Sequence, residues 1–484
     1  MTTPQTIRRM LAALLLAATA GTACATNPVT GERELSLMSE QQEIAIGRQN
    51  DEQIRQEMGV YDDQDLQRYV SQLGQRLAKV SHRPDLPWQF TVVDTPAINA
   101  FALPGGFIYI TRGILPYLDN EAELAGVLGH EIGHVTARHA AQQYTRATGG
   151  TLGLAALSIF VPEARPFGDL ASTGLGLLFL KYGRDDELQA DRLGIEYAAE
   201  AGYDPTGVPH FLQTLARIDS MSERGVPNFL STHPDPGSRV DDATPIAAKY
   251  KSANATATNQ QAFQREIDGI IVGDNPKEGV VRGNQFLHPV LRLKLRFPDG
   301  WEVQNSPAQV VAKAPEANHF MLLKVVQQPQ GHSLEQVAVN SMNGANFRRV
   351  DGGATRINGL DAYVGVYQGA LEGLGNVVLR AAHIAVGDTI YMFGGFAPEG
   401  EFRSVDGTIS QSIQTFERMS ASEAEAIHPN RLDYYTARSG DTWEAIARRA
   451  GEGIIQPSRL AIMNGYAASQ QPRAGDRLKI VVAG

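Results

Sequence analysis

The sequence predicts a multidomain protein: a mainly α domain with a small β-hairpin and edge sheet, an α+β sandwich domain, and a small βααβ domain. Three observations lead there. At 484 residues the chain is too long for one ordinary core, and roughly 150 residues per domain suggests about three units. Over residues 37–250 apolar side chains recur at helical spacing, whereas over residues 291–417 the apolar runs are short and β-prone. The last fifty residues change texture again, with short strand and helix signals around Gly440-Asp441-Thr442. A content of 43% hydrophobic and 20% charged residues suffices for packed cores, and a net charge of -10 argues against nucleic acid as a partner.

Taken in order, residues 1–23 read as a signal peptide. Arg8 and Arg9 precede an apolar run over residues 10–20 that is too short for a confident membrane span. Cys24 is the single cysteine, so no internal disulfide forms, and Gly21-Thr22-Ala23-Cys24 resembles a lipobox with Gly where Leu is usual. That resemblance implies lipidation of Cys24, against ordinary cleavage after a small residue. Ala25, rather than Asp, then implies the outer membrane; either way the expected compartment is the periplasm.

Residues 24–251 form the first domain, with helices expected over 41–58, 63–80, 120–143 and 184–199. One hairpin interrupts them, where Pro104-Gly105-Gly106 joins β-prone residues 100–103 and 107–111. Residues 252–284 read as a linker and helical connector, opening on the polar stretch 252–261. Residues 285–418 carry strand signals at 291–297, 320–326, 362–367, 377–386 and 389–396, and helical ones at 333–342 and 403–416. Their order resembles the sandwich domains of the Mog1 and PsbP type, and no catalytic constellation stands among them. Residues 419–432 are a second linker. Residues 433–484 resemble a LysM module through Tyr435, Ser439-Gly440-Asp441-Thr442-Trp443, Ile446-Ala447, Leu460, Met463-Asn464-Gly465, Pro472, Gly475 and Leu478. The resemblance implies glycan binding, with a structural appendage as the plain alternative.

The chemistry is carried by His130-Glu131-Ile132-Gly133-His134. Two His four apart share a helix face, so both imidazoles reach one tetrahedral zinc while Glu131 lies beside it. With 11 His in the chain, chance predicts about 0.01 such patterns, and Leu124, Val127, Leu128 and Ile132 already supply the helix's apolar positions, so an accidental match is a poor explanation. A catalytic zinc needs a third protein ligand. His139 is nearest, but a metzincin arrangement requires His at Ala140 and Gly at Ala137. A better donor opens a later helix, where Glu187 and Asp191 are four apart: one binds zinc while the other holds a ligand imidazole.

Together with Asn99-Ala100-Phe101-Ala102-Leu103-Pro104-Gly105-Gly106, these motifs resemble the zinc metallopeptidases that include the CAAX prenyl endopeptidases, HtpX and the β-barrel assembly-enhancing proteases. The resemblance covers residues 27–250. It implies one zinc per chain, held by His130, His134 and Glu187, with Asp191 orienting and Glu131 as general base. Thr232-His233-Pro234 and Arg239 also match. His233 then stabilises the oxyanion or occupies the open zinc position, and Arg239 holds that loop or the oxyanion; a plain Pro-rich turn is the other reading. Asn99, Phe107, Ile108 and Tyr109 are the expected substrate contacts, with residues 107–111 offering an edge to an extended chain. Apolar runs at 152–161 and 170–180 read as a lid or as core helices. Tetratricopeptide repeats, which mark the lipoprotein branch, are missing. The expected function is endoproteolysis of misfolded or misassembled envelope proteins, tethered to membrane and peptidoglycan. The competing readings are a mostly latent assembly or wall-associated factor, and a peptidoglycan peptide hydrolase.

Overall fold

The computed structural model describes residues 24–149, 182–221, 232–326, 332–371, 373–451 and 453–484. The signal segment and the two apolar runs at 152–161 and 170–180 lie outside the described residues. Among the described residues the chain forms two compact units, one drawn mainly from Val60–Ile270 and Leu432–Val481, the other chiefly from Ile271–Arg431.

The first unit opens on a hairpin of β1 (Cys24–Thr26) and β2 (Arg33–Leu35), followed by α1 (Glu40–Met58) and α2 (Gln64–Lys79). Asp63 starts α2 by accepting the Asp65 and Leu66 N–H groups, which have no partner within the helix. A three-stranded sheet comes next: β3 (Gln89–Val93), β4 (Ala100–Leu103) and β5 (Phe107–Thr111). Gly105 and Gly106 make the turn at φ of 82° and 100°, and a Cβ on Gly105 would lie 2.5 Å from the Ile44 Cα. The sheet order is β3-β5-β4, with β5 parallel to β3 and antiparallel to β4. This corrects the expected edge. Phe107, Ile108 and Tyr109 lie on the central strand and are buried, and among the described residues the edge strands of this sheet are β3 and β4. The hairpin was legible locally, but its pairing with β3 is non-local.

The helices α3 (Glu121–Thr136), α4 (His139–Gly149), α5 (Arg184–Glu200), α6 (Gly207–Met221), α7 (Pro236–Tyr250) and α8 (Gln260–Glu266) follow. The single helical run expected over 120–143 is thus two helices. Arg138 breaks it at φ 60°, where its guanidinium donates to Glu43 and to the Met38 carbonyl, both at 2.6 Å. The stretch read as a polar linker is also packed: the Thr258 carbonyl accepts the Glu121 N–H at 3.0 Å, and Ala255 is buried.

In the second unit a mixed-length antiparallel sheet runs β12-β13-β14-β15-β11-β10-β9, and a smaller one runs β16-β8-β7-β6. In chain order the strands are β6 (Val280–Arg282), β7 (Gln285–His288), β8 (Leu293–Arg296), β9 (Glu302–Asn305), β10 (Gln309–Lys313), β11 (Phe320–Val326), β12 (Arg348–Ile357), β13 (Leu360–Leu371), β14 (Gly375–Val386), β15 (Thr389–Pro398) and β16 (Glu417–Arg418). Alternation along β14 separates two cores. Val378, Ala382 and Ile384 join Phe286 and Leu295 of the smaller sheet and Ile409 of α10 (Phe402–Ile413), whereas Val377, Leu379 and Ala381 meet Met342 of α9 (Leu334–Gly344). The arrangement is three-layered.

The C-terminal module belongs to the first unit. It consists of β17 (Arg431–Thr436), α11 (Trp443–Ala450), α12 (Pro457–Met463) and β18 (Arg477–Val482), with β17 paired to β18. Trp443, Ile446, Leu460 and Leu478 fill its core, and Thr442 caps α11 by accepting the Ala445 N–H.

Candidate metal centre

Close packing of α3 on α5 assembles the site. Gly129 and Gly133 on α3 face Ala190 and Gly194 on α5; a Cβ on Gly194 would lie 2.8 Å from the His130 backbone N, and one on Gly133 would lie 3.1 Å from the Ala190 carbonyl oxygen. Small residues at this seam let the backbones approach, so the first turns of α5 present Glu187 and Asp191 to the imidazoles of α3. His233 and Arg239 arrive from the segment that opens α7.

One donor atom from each of His130, His134, Glu187 and His233 lies within 4.8 Å of the others. The His130 and His134 Nε2 atoms are 3.0 Å apart, His233 Nδ1 is 3.3 Å from His130 Nε2 and 3.0 Å from Glu187 Oε1, and His134 Nε2 is 3.5 Å from that oxygen. Ligands at ordinary zinc bond lengths in a tetrahedron are about 3.4 Å apart. The spacing therefore fits zinc, as does the mixture of imidazole and carboxylate donors.

Neighbouring groups fix which imidazole nitrogens carry protons. His130 Nδ1 lies 2.9 Å from Asp191 Oδ1, so its proton sits on that side and Nε2 presents a lone pair to the cluster. His139 Nε2 donates to Gln189 Oε1 at 2.9 Å, which leaves His139 Nδ1 as the acceptor for His134 Nδ1–H at 2.8 Å. His134 Nε2 is then also free to coordinate. Burial depresses all three imidazoles; for His134 the neighbouring His130, His139 and His233 add to it. Burial, then the Arg239 charge, holds His233 down at about 3. These are neutral, ligand-ready rings. Tyr182 stacks on His134 with centroids 3.9 Å apart and planes 19° from parallel.

The carboxylates differ. Asp191 receives Nε and Nη2 of Arg239 at 2.8 and 2.7 Å, and although burial works against its charge, Arg239 and His130 hold it below the ordinary Asp range. Arg239 Nη1 also reaches Glu187 Oε2 at 2.6 Å. Burial pushes Glu187 up to about 7 against that pull. Glu131 is 1% exposed, and among the described residues neither of its carboxylate oxygens has a hydrogen-bond partner. A buried carboxylate is costly to leave bare, so its aim toward the cluster, with Oε1 3.7 Å from His233 Nε2, marks the place of a missing polar group. Burial, then Glu187, raises it well above the usual range.

Residues 64–247 match the profile of peptidase family M48. A β-barrel assembly-enhancing protease of Yersinia pestis is 30% identical over 361 residues, covering 70% of this chain and 73% of that one. The chain belongs to peptidase family M48. As an M48 member it is a zinc metalloendopeptidase, a hydrolase of peptide bonds in proteins. A β-barrel assembly-enhancing protease of Escherichia coli K12 is 35% identical over 228 residues, 45% of this chain and 46% of that one, so the chain spans about half the length of that M48 relative. Among solved structures, the cyanobacterial PsbP of Synechocystis sp. PCC 6803 is similar at a TM-score of 0.24 and 13% identity, over 29% of this chain and 95% of that one.

Of the residues singled out by sequence, His130, Glu131, His134, Glu187, Asp191, His233 and Arg239 meet in one buried site. Phe107, Ile108 and Tyr109 are enclosed in β5, and Asn99 donates its backbone N–H to Thr111 Oγ1 at 3.0 Å. The Arg239 guanidinium is engaged by Asp191 and Glu187. Tyr182, Gln189 and the orienting place of His139 were missed. Sequence offers His139 only as a ligand candidate, and no spacing rule marks Tyr182, which lies just ahead of α5.

Proposed function

We propose that the chain hydrolyses peptide bonds of misfolded or misassembled envelope proteins at a zinc held by His130, His134 and Glu187. The observation that carries this reading is the pair of proton-locked imidazoles whose free Nε2 atoms converge with Glu187 beside an unpartnered Glu131. When bound, zinc polarises the scissile carbonyl and lowers the pKa of water toward about 7. Glu131 accepts the proton of the attacking water and returns it to the leaving amine. Asp191 fixes the His130 ring, Arg239 fixes Asp191 and Glu187, and His139 fixes the His134 ring. An extended substrate adds to β4, an edge strand among the described residues, through backbone hydrogen bonds, which gives little sequence preference. A small cavity lined by Ala102, Leu103, His134 and Tyr182 adjoins that edge, linking it to the centre.

His233 is read as a latch. Its Nδ1 stands within the donor cluster, where it would hold a fourth ligand position in the resting enzyme. The lipobox-like Cys24 supports a membrane anchor in the periplasm, and the LysM-like pattern of the C-terminal module supports attachment to peptidoglycan. No helix among the described residues is long and apolar enough to cross a membrane. Casein turnover by the purified chain, set beside release of muropeptides from peptidoglycan, tests the reading. Glu131→Gln is expected to abolish casein cleavage while zinc stays bound; undiminished turnover would remove the general-base role, and muropeptide release without casein cleavage would assign a wall hydrolase instead.

A further inference from the structure

Lys479, in β18 of the C-terminal module, is 4% exposed, and its ammonium donates to the Leu118 carbonyl and to Asp119 Oδ1, both at 2.8 Å. Burying an ammonium costs several kcal/mol unless a charge partner and hydrogen bonds offset it. These partners are not on the module. They are the residues that immediately precede Asn120, the cap of the helix that carries His130, Glu131 and His134.

This end of α3 is acidic and tightly bonded. The Asp119 N–H donates to Glu123 Oε2 at 2.8 Å, and the Asn120 side chain accepts the Glu123 N–H at 3.0 Å. Glu123 is 3% exposed; burial and then Asp119 raise its carboxyl to about 8, while Lys479 acts in the opposite direction. A second tie lies nearby, where Arg217 of α6 donates to the Gly465 carbonyl of the module at 2.6 Å. The module is thus bonded to the start of the zinc-binding helix and to the helix packed beside it, rather than attached by its chain connection alone.

We propose that Lys479 is a positioning residue of the peptidase: by fixing Leu118 and Asp119 it sets where α3 begins, and hence where His130, Glu131 and His134 stand against Glu187. The inference rests on hydrolysis at that centre. Its chemical basis is that catalytic groups tolerate little misplacement, a shift of about 1 Å costing up to about 10²-fold in rate.

The test uses the full chain, with Lys479→Met preserving side-chain length without charge, Lys479→Arg restoring the charge, and Asp119→Asn removing the acceptor's charge. Each is assayed below its melting temperature for kcat and KM on casein and for the rate of zinc loss to a chelator. Lys479→Met is expected to lower kcat about five- to tenfold with KM nearly unchanged and to release zinc severalfold faster. Lys479→Arg should recover most of both. The Lys479→Met/Asp119→Asn double variant should be no worse than the more severe single one, because both changes remove the same ion pair. Wild-type kcat and zinc retention in folded Lys479→Met, even with a lower Tm, would reduce the lysine to a structural tie and overturn the proposal. A wild-type chain that does not cleave casein would sink the proteolytic reading instead, and zinc release would still decide the positioning role.

Discussion

With Nδ1 3.0 Å from Glu187 Oε1 and 3.3 Å from His130 Nε2, His233 stands among the donors rather than across a cleft from them. Burial keeps the ring neutral, so its lone pair is available to metal at ordinary pH. His233→Ala is therefore expected to raise basal casein cleavage, since the fourth position then has no competing side chain. A fall in kcat of about 10²-fold would instead show a lost oxyanion donor, and an unchanged rate at unchanged zinc content would return His233 to a turn residue. The sequence made this residue visible only through family resemblance. His130, His134, Glu187 and Asp191 were visible by helical spacing, because i and i+4 side chains share a face whatever the tertiary fold. Tyr182 and Gln189 were not, because their roles depend on how α5 meets α3.

That meeting is decided by whole elements. Gly129, Gly133, Ala190 and Gly194 form the seam, and a Cβ on Gly194 would lie 2.8 Å from the His130 N and 3.2 Å from the Gly126 carbonyl oxygen, backbone atoms that cannot swing aside. Gly194→Ala should push α5 off α3, cost about 1–3 kcal/mol of stability and weaken zinc binding, because Glu187 and Asp191 ride on the displaced helix. Thermal melting with zinc analysis checks this against Gly237→Ala, whose added Cβ meets nothing within 4 Å. Equal Tm and zinc content in both variants would show that the seam has slack. Periodicity found α1, α2 and α5 to within a residue or two, and it found β11, β14 and β15, which carry long apolar runs. It missed β12, whose Arg348–Ile357 sequence is exposed at every position but the last and so shows no alternation. It also gave no sign that β5 is central rather than an edge, because strand order is set by pairing between distant segments.

At the scale of the molecule, the C-terminal βααβ segment shares a compact unit with the peptidase residues, and Lys479 links its last strand to the start of the helix that carries His130 and His134. Sequence reads residues 433–484 as a separate module, and nothing in that motif indicates that Lys479 bonds to Leu118 and Asp119. His130, His134 and Glu187 are proposed to form the protein's zinc site around Glu131. Anomalous diffraction at the zinc edge from crystals of the purified full-length chain tests it most directly. The expected result is one peak per chain about 2.0–2.2 Å from the Nε2 atoms of His130 and His134 and from a Glu187 oxygen. A peak bound by Asp186 or Asp191 in place of Glu187, or a folded chain with no zinc peak at this cluster, would contradict it.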